Sequence, residues 1–148
     1  MARVQVKKLR DGAILPTSGS AFAAGYDLYA CIDQPVAISF GETSLIGTGL
    51  SFALPEGTFG AVFARSGLSV KAGLRPANCV GVIDSDYRGE VVVALRNDKP
   101  GVQNTYVVEP GERIAQMVLL PYLPMEFEET EELPETVRGA GGFGSSGR

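Results

Sequence analysis

The chain has 148 residues and a mass of 15.6 kDa, the size of one domain, with 45% hydrophobic and 20% charged residues. No apolar stretch approaches the ~18 residues of a membrane span, and a net charge of −4 argues against a general nucleic-acid-binding surface. The absence of histidine removes imidazole as base or metal ligand, and two cysteines are too few for the tetrahedral set of a structural zinc site. Residues 1–10 carry basic side chains with no apolar core behind them, which is not the pattern of a secretory leader, so a cytoplasmic location is expected. Short runs rich in Val, Ile, Phe, Leu and Tyr follow at 4–9, 36–40, 43–50, 60–64, 89–95, 105–108, 114–122 and 125–129. Prolines sit at or near their ends, as expected of a residue that lacks the ladder donor. The pattern predicts an all-β fold of many short strands, a barrel or a sandwich. One helix of two or three turns at most is predicted, capped by Ser66 and ended by Gly73. Cys31 and Cys79 lie in apolar sequence and are expected to be reduced core residues, with a bridge or a reactive thiol as the alternative.

The C-terminal end differs from the rest. Glu126, Glu128, Glu129, Glu131, Glu132 and Glu135 form an acidic stretch, and Arg138 then opens Gly139-Ala140-Gly141-Gly142-Phe143-Gly144-Ser145-Ser146-Gly147-Arg148. This composition builds no packed element of its own. Either it is a disordered end, or its glycine amides and serine hydroxyls clasp phosphate oxygens. A bare linker needs neither Arg138 nor Phe143.

Four internal segments place chemistry on this frame. In Gly81-Val82-Ile83-Asp84-Ser85-Asp86-Tyr87-Arg88-Gly89, Asp84 follows an apolar triplet, so a partly buried carboxylate could serve as general base or simply bond turn amides. In Ala64-Arg65-Ser66-Gly67-Leu68, a cation and a hydroxyl meet a strand-to-helix junction, which suits phosphate or mere N-capping. Asp27, within Ala24-Gly25-Tyr26-Asp27-Leu28, is a carboxylate in an apolar strand that faces a cation or pairs with an arginine. Gln116 ends Gly111-Glu112-Arg113-Ile114-Ala115-Gln116, and its amide needs backbone or ligand partners.

These four segments and the tail, in this order, resemble the five motifs of the trimeric deoxyuridine triphosphate nucleotidohydrolases (dUTPases), and the likeness runs through nearly the whole chain. It implies a single domain over 1–148, a jelly-roll-like β-barrel body at 1–137 and a flexible glycine-rich lid at 138–148. It implies hydrolysis of dUTP to dUMP and pyrophosphate by Mg²⁺-assisted attack of water on the α-phosphate, which keeps uracil out of DNA and supplies dUMP for thymidylate synthesis. Asp84 would activate the water. Tyr87 would stack under the deoxyribose. Asn78 and the backbone of Gly81, Val82 and Ile83 would read the uracil edge, and Gly89 would permit that approach. Arg65, Ser66, Gly67 and Gln116 would hold phosphates, and Asp27 would touch Mg²⁺ through water. Arg138 would bind the γ-phosphate, Phe143 would cover the uracil, and Gly144, Ser145 and Ser146 would close over the phosphates. The resemblance also implies a homotrimer with sites shared between subunits, and no nucleic-acid or membrane partner. A deoxycytidine triphosphate deaminase shares the family's barrel but needs a pocket glutamate and lacks the glycine-rich tail. A non-enzymatic barrel oligomer is the remaining alternative.

Overall fold

The computed structural model describes residues 2–101 and 104–142. Twelve strands lie among them: β1 (Gln5–Lys8), β2 (Thr17–Ser18), β3 (Tyr26–Tyr29), β4 (Val36–Ser39), β5 (Thr43–Gly47), β6 (Leu50–Ala53), β7 (Thr58–Phe63), β8 (Leu74–Pro76), β9 (Gly81–Ile83), β10 (Val92–Asn97), β11 (Thr105–Val108) and β12 (Arg113–Pro121). They form four antiparallel sheets, ordered β1-β6, β5-β10-β8, β11-β4 and β2-β3-β12-β7-β9. Each sheet turns an apolar face inward. Leu28, Ile38, Ile46, Leu50, Val62, Leu74, Leu95, Val108 and Ile114 meet in one core. Burying each such side chain contributes about 1.5–3 kcal/mol, and the all-β expectation holds.

The largest sheet positions most of the chemistry. Its central strand β12 starts after the Pro110-Gly111 turn and runs to Pro121, where the missing N–H ends the ladder. A register shift falls between Arg113 and Ala115, so Ile114 is an extra residue on β12 opposite β3. Strand β9 lies at the edge of the sheet and pairs only with β7. One buried amide ties the sheets together. Asn97 Nδ2 donates to the Ile38 and Asn104 carbonyls at 2.9 and 3.0 Å, and its Oδ1 accepts from the Lys99 N–H at 3.0 Å. Leaving one such buried partner unmet costs about 1–3 kcal/mol.

Four local expectations are corrected. Residues 125–129 form no strand; Met125 and Phe127 are exposed, because no sheet edge among the described residues takes them up after Pro121 and Pro124. The run 43–50 splits into β5 and β6 at Thr48-Gly49, where Gly49 adopts φ +68°. The run 89–95 enters its sheet only at Val92. Ser66 does not cap the helix: the turn Leu68–Ala72 is wide and π-type, with no side-chain cap hydrogen bond at its start. Its end is as expected. Gly73 is left-handed at φ 69°, and its N–H reaches the Leu68 and Ser69 carbonyls. A side chain at Gly73 would also meet the Lys99 backbone.

Candidate active site

Directly opposed residues of an antiparallel pair share a face. Thr17, Asp27, Gln116 and Phe63 are opposed in turn across β2, β3, β12 and β7, so their side chains lie on one face of the large sheet. Leu28, Ala115, Met117 and Val62 occupy the opposite, core face. Arg65 follows β7 by two residues and turns back to Asp27. Its Nε donates to Asp27 Oδ1 at 2.8 Å, and its Nη1 donates to the Arg113 carbonyl at 3.3 Å. Arg113 Nη1 reaches the other carboxylate oxygen, Oδ2, at 3.3 Å. Asp27 therefore pairs with arginine, one of its two expected readings. Its side chain is 16% exposed, against 25% for Arg65 and 53% for Arg113.

Gln116 resolves to backbone. Its Nε2 donates to the Ala64 carbonyl at 2.9 Å, which anchors the segment leading into Arg65, Ser66 and Gly67. Gly25 lies against the same amide, and a side chain there would displace it. Ser66 and Gly67 are exposed at the mouth of the π-type turn, next to the arginine. Nearby, Tyr106 donates to Glu112, whose other oxygen accepts the Glu109 N–H at 3.0 Å. Burial, and then the Glu112 hydrogen bond, push the Tyr106 hydroxyl up to about 12. These contacts order the turn from which β12 and Arg113 emerge.

A second group of expected residues lies at the other edge of the sheet. Asn78 is exposed in the link from β8 to β9, and its amide sits over Gly81. Cys79 is exposed and takes φ 63°, so the core expectation holds only for Cys31. The link is braced from below by Arg75, whose Nη1 donates to the Pro76 carbonyl at 3.0 Å and approaches Cys79 Sγ at 3.6 Å. Along β9 the side chains alternate: Gly81 and Ile83 are half-buried, Val82 and Asp84 exposed. The partly buried Asp84 expected from its apolar neighbours is thus an exposed carboxylate on the outward side of the alternation.

The turn after Asp84 is rigidly tied. The Tyr87 N–H donates to the Asp84 carbonyl at 3.2 Å, and the Tyr87 hydroxyl donates to the Glu90 carbonyl at 3.1 Å. Arg88 Nη1 donates to the carbonyls of Ser85 at 2.7 Å and Tyr87 at 3.0 Å. The Tyr87 ring lies where a Gly89 side chain would be, so the absent Cβ at Gly89 makes room for the tyrosine. That differs from the sequence expectation, in which Gly89 admits the base.

Among the described residues no hydrogen bond or ion pair joins the Asp84–Tyr87 turn to the Arg65–Asp27 cluster. Arg138 stands apart from both, its Nε donating to the Gly141 carbonyl at 2.9 Å within its own turn. Phe143, Gly144, Ser145 and Ser146 lie outside the described residues. Sequence reasoning missed Arg75, Arg88 and Arg113 as bracing groups. Only the register and the bulge aim Arg113 at Asp27, and no residue pattern announces them.

No three acidic or thiol side chains among the described residues are grouped to hold a metal ion. The donor set on the sheet face is one carboxylate whose two oxygens each keep a lone pair beyond the arginines. That fits a hard cation held at one remove through water and carried mainly by other oxygen ligands.

A family model described as dUTPase matches residues 11–147. The deoxyuridine 5'-triphosphate nucleotidohydrolase of Acinetobacter baumannii (strain AYE) is 47% identical over 135 residues, covering 90% of this chain and 88% of the relative. That of Idiomarina loihiensis is 45% identical over 153 residues, covering 100% and 99%. Among solved structures, the dUTPase of Staphylococcus bacteriophage 80alpha with dUpNHpp superposes with a TM-score of 0.88 at 30% identity, over 99% of each chain. A mutant dUTPase from phage phi11 of S. aureus, described with the coordination of a structural Mg(II) ion, gives a TM-score of 0.77 at 25% identity, over 88% of this chain and 97% of that one.

Proposed function

The chain belongs to the dUTPase family, and from that membership we propose how its residues carry out the hydrolysis of dUTP to dUMP. The observation that carries the reading is the Arg65 guanidinium, fixed by Asp27 on an open sheet face, with no partner for its Nη2 group among the described residues. A guanidinium with free donors, beside the exposed hydroxyl of Ser66 and the backbone of Gly67, is suited to phosphate oxygens. Gln116 acts there mainly by anchoring Ala64, and its remaining N–H is available to the same oxygens.

At the other edge, Asn78 and the open side of β9 at Gly81, Val82 and Ile83 offer paired donors and acceptors to the uracil edge. Tyr87, held by Glu90 and seated on Gly89, presents its ring to the deoxyribose and leaves no room for a 2′-hydroxyl. Asp84 accepts a proton from water as that water attacks the α-phosphorus, and pyrophosphate departs. An exposed carboxylate suffices for this if the developing charge is stabilised by arginines around it. Mg²⁺ bound with the triphosphate supplies charge neutralisation on the phosphate oxygens, and Asp27 would hold one of its waters. Arg138 would leave the Gly141 carbonyl for the γ-phosphate, with Phe143, Gly144, Ser145 and Ser146 closing over the substrate.

The two groups carry complementary halves of one site, and we infer that a homotrimer joins halves from different subunits. Residues 122–137 support this. Tyr122, Leu123, Met125, Phe127, Leu133 and Val137 are all exposed. An apolar groove of about 610 Å³, lined by Val4, Val6, Phe52, Leu54 and Leu119 among others, is open on the barrel. Placing the arm of one copy in the groove of another buries both. Hydrolysis of dUTP in heavy-oxygen water tests the reaction itself. Label is expected in dUMP alone; label confined to pyrophosphate would move the attack to the β-phosphorus and remove Asp84 from the role of base.

A further inference from the structure

We propose that Arg113 is a positioning residue that keeps the Arg65 guanidinium available to the triphosphate, and that the bulge at Ile114 exists to aim it there. The proposal rests on the reading of Arg65 as a phosphate-binding group.

The aim follows from register. On an unbroken strand, Arg113 and Gln116 would point to opposite faces, because their separation is odd. Here Gln116 opposes Asp27 and Arg113 opposes Tyr29, and Asp27 and Tyr29 share a face of β3. The extra residue, Ile114, reverses the alternation. Ile114 and Ala115 are consequently both buried, at 1% and 0% exposure, while Arg113 joins Asp27 and Gln116 on the outer face. Re-aiming a side chain is what such bulges do beside functional sites.

The effect of that aim follows from the hydrogen bonds. A carboxylate next to one arginine tends to accept two parallel N–H groups from it. Asp27 does not: Arg65 holds Oδ1 through Nε, while Oδ2 is taken by Arg113 at 3.3 Å. The Arg113 carbonyl also holds Arg65 Nη1 at 3.3 Å, so the guanidinium is held through two of its three nitrogens. Among the described residues its Nη2 amino group and one Nη1 hydrogen have no partner. Without the Arg113 side chain, Oδ2 becomes open to Arg65 itself, and a two-pronged pair through Nε and Nη2 would turn the guanidinium toward the carboxylate and take one of the three donors left for phosphate. Arg113 thus acts by competition for the carboxylate, through Asp27, and needs no contact with substrate.

The test uses the full-length protein and an α,β-imido analogue of dUTP, with and without Mg²⁺. Arg113→Gln is expected to weaken analogue binding and raise KM about tenfold while kcat stays within about twofold, the signature of lost uniform binding. Arg113→Lys, which keeps a cation beside Asp27, should restore binding to within about twofold. In an Asp27→Asn background the further change Arg113→Gln should have no effect, since there is no carboxylate left to compete for. An equal loss in that background would show direct contact of Arg113 with substrate and overturn the proposal. So would a fall in melting temperature that tracks the binding loss and is not relieved by lysine. Arg65→Gln separates the two readings. If it leaves analogue binding unchanged, the phosphate reading of Arg65 fails. If it weakens binding while Arg113→Gln does not, only the positioning role fails.

Discussion

Gly89 and Tyr87 show how one missing methyl sets a side chain. The ring rests where a Cβ would stand, and its hydroxyl is held by the Glu90 carbonyl. The blocking atoms belong to the far end of a side chain, so Gly89→Ala is expected to fold and to displace the ring. On the proposed role of Tyr87, a displaced ring no longer closes the sugar site. Activity on UTP relative to dUTP should therefore rise about tenfold or more, within what a steric and hydrogen-bonded site discriminates. Unchanged discrimination, measured as the ratio of kcat/KM values, would remove Tyr87 from sugar selection. The motif that carries Tyr87 and Gly89 was readable in the sequence. Their mutual contact was not, because three-residue turn geometry leaves no periodic trace.

At the scale of elements, pairings explain both successes and failures of sequence reading. The strand at 105–108 matched to the residue because its alternation and its flanks agree. The cluster at 125–129 has strand-like composition but no partner edge within its own chain. Composition reports the propensity of a segment, whereas pairing depends on what lies beside it. The β8–β10 ladder carries a less visible feature: Arg75 lies opposite Arg96, a like-charge pair that on its own is destabilising. Asp98 resolves it, meeting Arg75 Nε at 2.6 Å and Arg96 Nε at 2.8 Å. Hydrogen bonding to Arg96, opposed by slight burial and aided by the charge of Arg75, holds the Asp98 carboxyl below the usual carboxylate range. A depressed value means that the stabilisation is present above the unfolded-state value and is lost as pH falls through the folded one. Asp98→Asn should therefore melt at a lower temperature than the parent at pH 7. The gap should close in strong acid and shrink at high salt. A gap that persists below about pH 2, under the unfolded carboxyl value, would mean that charge is not its cause.

At the scale of the molecule, the arm and the groove are an unfinished surface. Residues 122–137 carry six exposed large apolar side chains amid glutamates, and the barrel offers an apolar groove that none of the described residues fills. Light scattering is expected to give close to three times 15.6 kDa. A chain ending at residue 121 should lose that assembly and, with it, turnover. A truncated chain that stays trimeric would show that the interface lies elsewhere. A full-length, stable, active monomer would refute shared sites altogether. The order of motifs made the family legible in the sequence. The separation of the Asp84–Tyr87 turn from the Arg65–Asp27 cluster was not, since chain order says nothing of which groups meet in space.

Strand β9 is only three residues long and pairs on one side alone. The proposed reading of a base through its backbone groups would oblige that side to stay bare, and a bare strand edge is an invitation to foreign strands. Brevity answers the hazard. Three residues give an intruding strand too few rungs to hold, and Asp84, Asp86 and Arg88 follow at once with charges that oppose extension of the ladder. Lengthening β9 to strengthen the fold would thus invite stickiness, and the protection against self-association is written into the same few residues to which the proposed base reading falls.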